Sequence, residues 1–396
     1  MPTVMAGDIG GTSSRFMLYE VSMHEHLHQG SRPPGKLVFS QTYANENVET
    51  FCDQVSAFLK DASAKGVVEP PEAACIAVAG PVLHNKVVMT NRSWLVDGAE
   101  VARRFNIPAV RLVNDFVAAG YGLLTLDIEK ECITLQAGER IHGAPIACIG
   151  SGTGLGETFL TCPVGGKLYD AWATEGGHSE MSPRDDLEWE FCKYIKATRN
   201  ATRVSVERVA SGTGVSNVYE FLSQKFPERV DQAVHQAIQE AGDQRGRIIS
   251  INSVEPDSLC EQVMEMWARH YGAEAGVMAL RCLPQGGLFL AGGMTPKNLR
   301  FLEGADSPFM KAFHDKGRVS GLLKSVPIHA LLVEDIGLRG SHFVAARMYI
   351  ENKEDIRQHE FHKVGTYSAT SMFAIAALSA VLGAVLCVTM NPRRGR

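Results

Sequence analysis

A glycine-rich stretch near the amino terminus combines groups that could hold a phosphate chain. It consists of Gly7, Asp8, Ile9, Gly10, Gly11, Thr12 and Ser13. Gly10 and Gly11 would allow backbone N–H groups to approach a phosphate closely, and Asp8 could hold Mg²⁺ through water. The apolar run Arg15–Tyr19 that follows predicts a strand, so the stretch differs from the GxxxxGK[ST] and GxGxxG loops, which open helices. Taken alone, an ordinary hairpin turn explains these residues as well.

A second candidate for chemistry is the pair Asn114 and Asp115. The pair follows the predicted strand Val110–Val113 and opens a predicted helix, Phe116–Leu124. The carboxyl end of a strand is where α/β proteins bind ligands. Asp115 could instead be only the N-cap of the helix, although capping would not require the preceding asparagine.

A second glycine-rich stretch, Gly150–Gly156, repeats the organisation of the first. It follows the predicted strand Ile146–Ile149, contains Thr153 and Gly154, and continues into another strand, Glu157–Leu160. Two strand–turn–strand units about 140 residues apart suggest two related halves that face each other. Each half would then contribute one phosphate-binding turn to a shared cleft.

Two further turns bring glycine next to reactive side chains. Glu175 and His178 are separated by two glycines, so an irregular backbone could direct both side chains at one small ligand, although a purely structural turn is the alternative. Gly292 and Gly293 end the predicted strand Gly287–Ala291 and form a third site of close backbone approach.

The elements that position these residues follow from hydrophobic periodicity. An initial order β-β-β-α-β predicts a compact α/β unit. The predicted helices are Val48–Ala64, Gly98–Phe105, Asp185–Ile195, Val215–Phe226, Val230–Gln239, Leu259–Cys282 and Ser341–Glu351. Between the later elements, Ser307–Ser325 is predicted to be a polar connection, followed by a strand, Ile328–Val333.

Composition restricts the class of protein. With 396 residues, 45% apolar residues and a net charge of −5, the chain is typical of a globular protein with about two to three domains, and a nucleic-acid partner is not expected. Nine cysteines without a CxxC pair predict reduced thiols in an intracellular compartment, and no amino-terminal signal peptide is expected. His24, His26 and His28 lie in a polar segment, and we expect a solvated loop there rather than a metal site.

Seven short motifs together resemble the bacterial-type glucokinase family of the actin/hexokinase-like ATPase superfamily. They occur in the family's order over roughly residues 3–350: GDIGGTSSR, MTNRSW, VNDF, GSGTGLG, EGGH, ERVASG and LAGG. The resemblance implies an α/β fold of two actin-like (ribonuclease H-like) lobes around a central cleft. The related sugar-kinase group with repressor members (ROK) carries a cysteine-rich zinc motif after the Gly-His pair, and none follows His178.

The resemblance also implies an activity and a set of roles. The activity is transfer of the γ-phosphoryl group of ATP, with Mg²⁺, to the 6-hydroxyl of glucose, the entry step of glycolysis. Asp115 resembles the catalytic base. The residues that resemble sugar ligands are Asn91, Asn114, Glu175, His178 and Glu207. The residues that resemble the phosphate-binding and adenosine-binding turns are Gly7 to Thr12, Thr153, Gly154, Gly292 and Gly293. A kinase of another hexose, or a sugar sensor with little turnover, is the alternative.

The resemblance also divides the chain. It implies a small lobe over residues 1–113, joined by the final helix at about 337–351, and a large lobe over residues 114–336. Its partners would be glucose and ATP, with a homodimer as an open option.

The chain continues beyond the region that resembles the family. A polar linker, 352–371, precedes nineteen uncharged residues, Met372–Met390, and a basic tail, 391–396. A helix of that length spans roughly 28 Å, about one bilayer core. We therefore expect a transmembrane anchor that tethers a cytosolic kinase domain to an intracellular membrane. The alternatives are an additional helix packed on the kinase and a soluble cytoplasmic protein.

Overall fold

Two β-sheets form the frame of the protein. The computed structural model describes residues 1–22, 24–89, 94–166 and 168–353. The strands are β1 Thr3–Ile9, β2 Ser13–Glu20, β3 Lys36–Ala44, β4 Ala73–Val78, β5 Lys86–Val88, β6 Leu95–Asp97, β7 Ala109–Asn114, β8 Cys132–Gln136, β9 Ile146–Ser151, β10 Leu155–Thr161, β11 Asp170–Thr174, β12 Leu288–Ala291 and β13 Ile328–Leu331.

Helices cover the sheets and connect their strands. They are α1 Phe51–Ala64, α2 Gly98–Phe105, α3 Asp115–Leu123, α4 Ile128–Glu131, α5 Asp186–Thr198, α6 Gly212–Lys225, α7 Gln232–Glu240, α8 Arg245–Ile251, α9 Leu259–Cys282, α10 Pro308–His314 and α11 Ser320–Leu323, followed by α12 over residues 336–353.

The two sheets repeat one topology. The first has the order β3-β2-β1-β4-β7, and the second has the order β11-β10-β9-β12-β13 with β8 added at its end. In each sheet the first three strands pair antiparallel, and the remaining pairs of the shared order are parallel. The expectation of two related halves is confirmed, and β1–β2 corresponds to β9–β10.

The first sheet forms because its central strands are apolar on both faces. All six residues of β4 are buried, as expected of a parallel strand that is covered on both sides. Helix α1 packs Phe51, Val55 and Phe58 onto one face. This helix begins three residues later than predicted, because Thr50 and Asp53 form a capping box.

Helix α9 organises the core of the second sheet. It runs over the 24 residues that the sequence predicts and buries side chains such as Trp267 and Tyr271. The Tyr271 hydroxyl donates to the carbonyl oxygen of Ile149 in β9 at 3.0 Å. This hydrogen bond ties the helix to the strand that leads into the second glycine-rich turn.

Helix α12 contacts the first sheet. The His342 ring stacks on the Tyr19 ring of β2, with centroids 3.5 Å apart, and Lys353 forms a 3.1 Å ion pair with Glu72. Helix α12 also crosses α3 closely, since a Cβ on Gly340 would lie 1.7 Å from the carbonyl oxygen of Ala118. Helix α12 therefore connects helix α3, which carries Asp115, to the first sheet.

The prediction of a polar connection late in the chain is wrong. The segment expected to be a polar connection, Ser307–Ser325, contains helices α10 and α11. Helix α10 buries Phe309, Met310 and Phe313, and it is capped by the Ser307 side chain. Charged residues between these apolar positions obscure the helical periodicity of α10 in the sequence. The apolar face of this seven-residue helix packs on α9.

Four predictions concern residues that the structure does not describe. Residues 354–396 lie outside the described residues, and with them most of the linker, the predicted anchor 372–390 and the basic tail. Asn91 also lies outside them. Within the described part of the chain, no helix combines the length and the apolar character needed to cross a bilayer.

Candidate active site

The first glycine-rich turn lies between β1 and β2 and is closed by a hydrogen bond of its own backbone. The Gly10 N–H donates to the carbonyl oxygen of Ser13 at 2.9 Å. Only Gly10, Gly11 and Thr12 form the turn itself, whereas Gly7, Asp8 and Ile9 belong to β1. A Cβ on Gly7 would lie 3.2 Å from both Phe16 and Ile76, so this glycine serves the packing of the sheet.

Asn45 holds this turn in place, a role that is not predicted from the sequence. Its side chain is fully buried; Nδ2 donates to the Gly10 carbonyl oxygen at 2.8 Å, and Oδ1 accepts from the Ser14 hydroxyl at 2.6 Å. Its backbone N–H donates to the Thr12 carbonyl oxygen at 2.8 Å. The side chain and backbone N–H of Asn45 together bond two carbonyl oxygens of the turn and the hydroxyl of Ser14 beside it, and this fixes the shape of the turn. The available signal was its place directly after β3, which pairs with β2 beside the turn.

Asp8 lies in β1 opposite Arg15 of β2. Burial raises the pKa of the Asp8 carboxyl, and the charge of Arg15 opposes that rise. A partly buried carboxylate next to the turn is a suitable oxygen ligand for a divalent cation or its bound water.

Asp115 begins α3 at the carboxyl end of β7. Burial raises the pKa of Asp115 to about 6; the hydrogen bond from the Phe116 N–H opposes this rise, and the negative charges of Asp8 and Glu175 add to it. The three carboxylates therefore share one electrostatic environment. A carboxylate with this pKa exchanges a proton readily near neutral pH, as a general base must.

The cap of α3 is Asn114, so the alternative in which Asp115 is merely the N-cap is wrong. Asn114 Oδ1 accepts from the N–H groups of Phe116 at 2.9 Å and Val117 at 3.3 Å, and Nδ2 donates to the Gly80 carbonyl oxygen at 3.2 Å. The amide oxygen is thus occupied, and among the described residues one N–H of Nδ2 remains for another acceptor.

Glu175, His178 and Glu207 come together although Glu207 lies about thirty residues further along the chain. His178 Nε2 lies 3.9 Å from Glu175 Oε2, and His178 Nδ1 lies 3.8 Å from Glu207 Oε1. The side chains of Glu175 and His178 are 63% and 57% exposed, so both can reach a ligand. An imidazole between two carboxylates offers donors and acceptors of the kind that bind hydroxyl groups.

The glycines between Glu175 and His178 are needed for the turn to sit on β10. A Cβ on Gly177 would lie 2.0 Å from the carbonyl oxygen of Leu155, and one on Gly176 would lie 1.9 Å from Glu157 Oε2. The 3₁₀ turn Gly176–His178 therefore rests on this strand and holds its two reactive side chains outward.

The second glycine-rich turn meets the start of α6. The Gly212 N–H donates to the Gly152 carbonyl oxygen at 2.8 Å, and the Thr213 hydroxyl donates to the Thr153 carbonyl oxygen at 3.0 Å. Gly154 is required at the turn, because a Cβ there would lie 2.5 Å from Glu207 Oε2.

Ser151 joins this turn to Gly292 and Gly293. The Met294 N–H donates to the Ser151 carbonyl oxygen at 3.1 Å, and the Ser151 hydroxyl accepts from Trp267 Nε1 at 3.0 Å. Gly292 has φ +85°, and a Cβ there would lie 2.3 Å from the Ser151 carbonyl oxygen. Ser151 belongs to the GSGTGLG motif, but this joining role is not predicted from the sequence.

The structure agrees with the expectation of a loop around His24, His26 and His28. No helix or strand is assigned to these three histidines.

Comparisons with known proteins agree with this geometry. A family model described as Glucokinase matches residues 5–348. The glucokinase of Nostoc sp. (strain PCC 7120 / SAG 25.82 / UTEX 2576) is 38% identical over 359 residues, which cover 88% of this chain and 100% of that protein.

Solved structures show the same two-lobe fold at low sequence identity. Glucokinase from Balamuthia mandrillaris in complex with glucose matches with a TM-score of 0.68 and 18% identity, covering 87% of this chain and 93% of that one. A ROK family glucokinase from Streptomyces griseus in complex with glucose and AMPPNP matches with a TM-score of 0.57 and 20% identity, covering 87% and 99%.

Proposed function

The chain belongs to the glucokinase family, and from this premise we propose a role for each part of the site. The reaction is transfer of the γ-phosphoryl group of ATP to the 6-hydroxyl of glucose, giving glucose 6-phosphate and ADP. The observation that carries the assignment of roles is the electrostatic environment of Asp115, which is influenced by Asp8, beside the first glycine-rich turn, and by Glu175, in the turn that leads to His178.

Asp115 acts as the general base. As the glucose 6-oxygen forms its bond to the γ-phosphorus, its proton passes to Asp115, and the bond between that phosphorus and the bridging oxygen breaks to release ADP. A pKa of about 6 supports this role, because the carboxylate is mostly ionised at neutral pH yet basic enough to take the proton.

Glu175, His178 and Glu207 bind sugar hydroxyls, and Asn114 contributes its remaining N–H. The 3.8 and 3.9 Å separations around His178 leave the three side chains close enough to contact neighbouring hydroxyls of one ring. A site of this kind discriminates strongly against analogues that lack a hydroxyl, because its polar groups would be left unpaired. Asn91 stays a proposed sugar ligand from the resemblance alone.

The two glycine-rich turns hold the phosphates of ATP from opposite sides. The turn Gly10–Thr12 contacts the β- and γ-phosphates, and Thr153 and Gly154 form the opposing contact. The amino terminus of α6, a 14-residue helix at the second turn, adds the favourable end of its dipole. Gly292 and Gly293 allow close approach of the adenosine.

Mg²⁺ fits the donor groups of this site. Asp8 would hold it through water, because its carboxyl oxygen is a hard ligand and burial already makes its isolated charge unfavourable. When bound, the ion neutralises negative charge on the phosphates.

We propose that residues 1–113 with α12 form one lobe and residues 114–336 the other. The repeated sheet order supports this division. Closure of the lobes on glucose would exclude water that could otherwise receive the phosphoryl group.

A coupled assay of ADP release with glucose, mannose, fructose and N-acetylglucosamine tests the function. We expect the highest kcat/KM with glucose. A preference for another hexose would correct the substrate, and glucose binding without ADP release would favour the sugar-sensor alternative.

We also propose that residues 372–390 anchor the kinase to an intracellular membrane. These residues lie outside the described part of the chain. The support for the anchor is therefore their uncharged sequence alone. Full-length protein should sediment with membranes and need detergent for release, whereas a chain ending at residue 353 should not sediment. Release of the full-length protein by salt alone would refute the anchor.

A further inference from the structure

A pocket of about 400 Å³ opens on the second sheet, on the face that packs against α9. Glu157 and Phe159 of β10 line one wall, and Met278 and Arg281 of α9 line another. Thr158, which lies between these two residues in β10, faces the other side of the sheet. It lies 3.1 Å from a Cβ placed on Gly120 of α3. The pocket is thus on the face of the sheet opposite the helix that carries Asp115, and its volume is typical of small-molecule sites.

Glu157 is the unusual group in this pocket. Its side chain is only 2% exposed, and within the described part of the chain its Oε1 atom has no hydrogen-bond partner. A buried carboxyl oxygen without a partner is unfavourable, and such groups in folded proteins are normally satisfied by protein, water or ligand. Glu157 therefore marks the inner end of the pocket as a place for a hydrogen-bond donor.

Arg281 supplies the opposite chemistry. Its guanidinium lies 3.6 Å from Glu274, and its side chain is 56% exposed, so it can also contact an anion at the pocket. Phe159 and Met278 provide apolar surface beside it. The walls thus combine an acceptor, a cation and an apolar surface.

We propose that this pocket binds an α-amino acid with an apolar side chain. The ammonium group would donate to Glu157, the carboxylate would pair with Arg281, and the side chain would pack against Phe159 and Met278. A hexose carries no anion to pair with the exposed part of Arg281, and a simple fatty acid carries no cation to pair with Glu157. A zwitterion satisfies both.

Occupation of the pocket would be felt at the sugar site, a step that rests on the proposed function. Glu157 Oε2 is in direct contact with the backbone at Gly176, where there is no room for a Cβ. The hydroxyl of Thr174, also in the pocket wall, accepts from the Gly176 N–H at 2.9 Å. Both contacts are made to Gly176, in the turn that carries Glu175 and His178. Movement of Glu157 toward a ligand would therefore alter the packing that holds this turn in place.

The charge state of Glu157 gives the binding a distinct signature. Burial raises the pKa of Glu157 to about 8; the charge of Glu274 adds to this rise and that of Arg281 opposes it. Burial raises the pKa values of Cys282 and Tyr271 of α9, and the charge of Glu157 adds to both rises, so neither group ionises near neutral pH. An ammonium ion beside Glu157 favours the ionised form, so binding near neutral pH should release close to one proton.

Calorimetry on the full chain without ATP tests the binding. L-leucine and L-phenylalanine are titrated near neutral pH in phosphate and in Tris, whose ionisation enthalpies differ. We expect saturable binding, with a heat that depends on the buffer because a proton is released. Glu157→Gln should abolish the buffer dependence and weaken binding about tenfold or more. Glu265→Gln, an exposed change on α9, should leave the buffer dependence and the affinity unchanged. Absence of binding by both amino acids, or binding that Glu157→Gln leaves intact, would overturn the proposal.

The coupling has its own measurement. The Kd of glucose is measured with and without a saturating amino acid, and we expect a change of about fivefold or more, absent in Glu157→Gln. An unchanged Kd alongside normal amino-acid binding would refute the coupling alone. Failure to bind glucose at all would count against the proposed function and leave the calorimetric result standing.

Discussion

The backbone N–H of Leu155 donates a 3.0 Å hydrogen bond to Glu207 Oε2, which joins the second glycine-rich turn to the carboxylate that lies 3.8 Å from His178. The other carboxyl oxygen, Oε1, is the one that approaches the imidazole. One side chain thus contacts both the proposed phosphate-binding turn and the proposed sugar ligands. Glu175 has no comparable bond to that turn among the described residues. The two glutamates therefore offer a matched comparison.

Glu207→Ala should raise the KM of both glucose and ATP, because it removes a sugar ligand and the support of the second turn. We expect a rise of about tenfold or more for glucose, which corresponds to the loss of one hydrogen bond to a charged group, and a smaller rise for ATP. Glu175→Ala should raise the KM of glucose alone. Steady-state kinetics with each substrate varied in turn would measure both effects, and an unchanged ATP KM in Glu207→Ala would contradict the coupling.

Asp115→Asn should leave glucose binding largely intact and lower kcat by at least about 10²-fold. The amide has almost the same shape, but it cannot accept the proton of the 6-hydroxyl. Glucose Kd by calorimetry and kcat by coupled assay separate the two properties. Turnover near the wild-type rate would exclude Asp115 as the base.

The pH dependence of kcat/KM should show an acid limb near the pKa of Asp115, about 6. Below this pH the base is protonated and the rate falls; above it the rate reaches a plateau. Because the charge of Glu175 contributes to raising this pKa, Glu175→Gln should move the limb to lower pH. The control is Glu265→Gln, which should leave the limb in place. A limb that moves upward in Glu175→Gln, or does not move, would contradict the assignment.

The elements of this site follow largely from local sequence, but their support does not. Both hairpins and the bounds of α9 are predictable, because glycines that mark turns and the periodicity of apolar residues are local patterns. The buried Asn45 becomes visible only when β3 pairs beside the first turn, a contact across more than thirty residues. Similarly, the sequence motif includes Gly7 with the phosphate turn, although the sheet shows that its missing side chain accommodates Phe16 and Ile76.

Gly10→Val should fold normally and use ATP poorly. Among the described residues, a Cβ at Gly10 meets only the Ser13 carbonyl oxygen, at an ordinary 3.5 Å, so we expect the added side chain to point toward the proposed phosphates rather than into the protein. We expect a Tm close to that of the wild type, an unchanged glucose Kd and a higher ATP KM. Gly292→Ala is the contrasting variant, because its φ of +85° and the 2.3 Å approach to Ser151 predict a clear loss of stability. An unchanged ATP KM in Gly10→Val would argue against phosphate binding at this turn.

Asn45→Ala should destabilise the first glycine-rich turn, although Asn45 lies more than thirty residues away in the sequence. The substitution removes the bonds from Nδ2 to Gly10 and from Ser14 to Oδ1, and it leaves buried polar groups of the turn without partners. We expect the free energy of unfolding to decrease by about 2–4 kcal/mol, and the ATP KM to rise while the glucose Kd stays near the wild-type value. Ser14→Ala, which removes only one of these bonds, should show about 1 kcal/mol and a small kinetic effect. If Asn45→Ala lost stability but kept the wild-type ATP KM, Asn45 would support the fold without positioning the turn for phosphate.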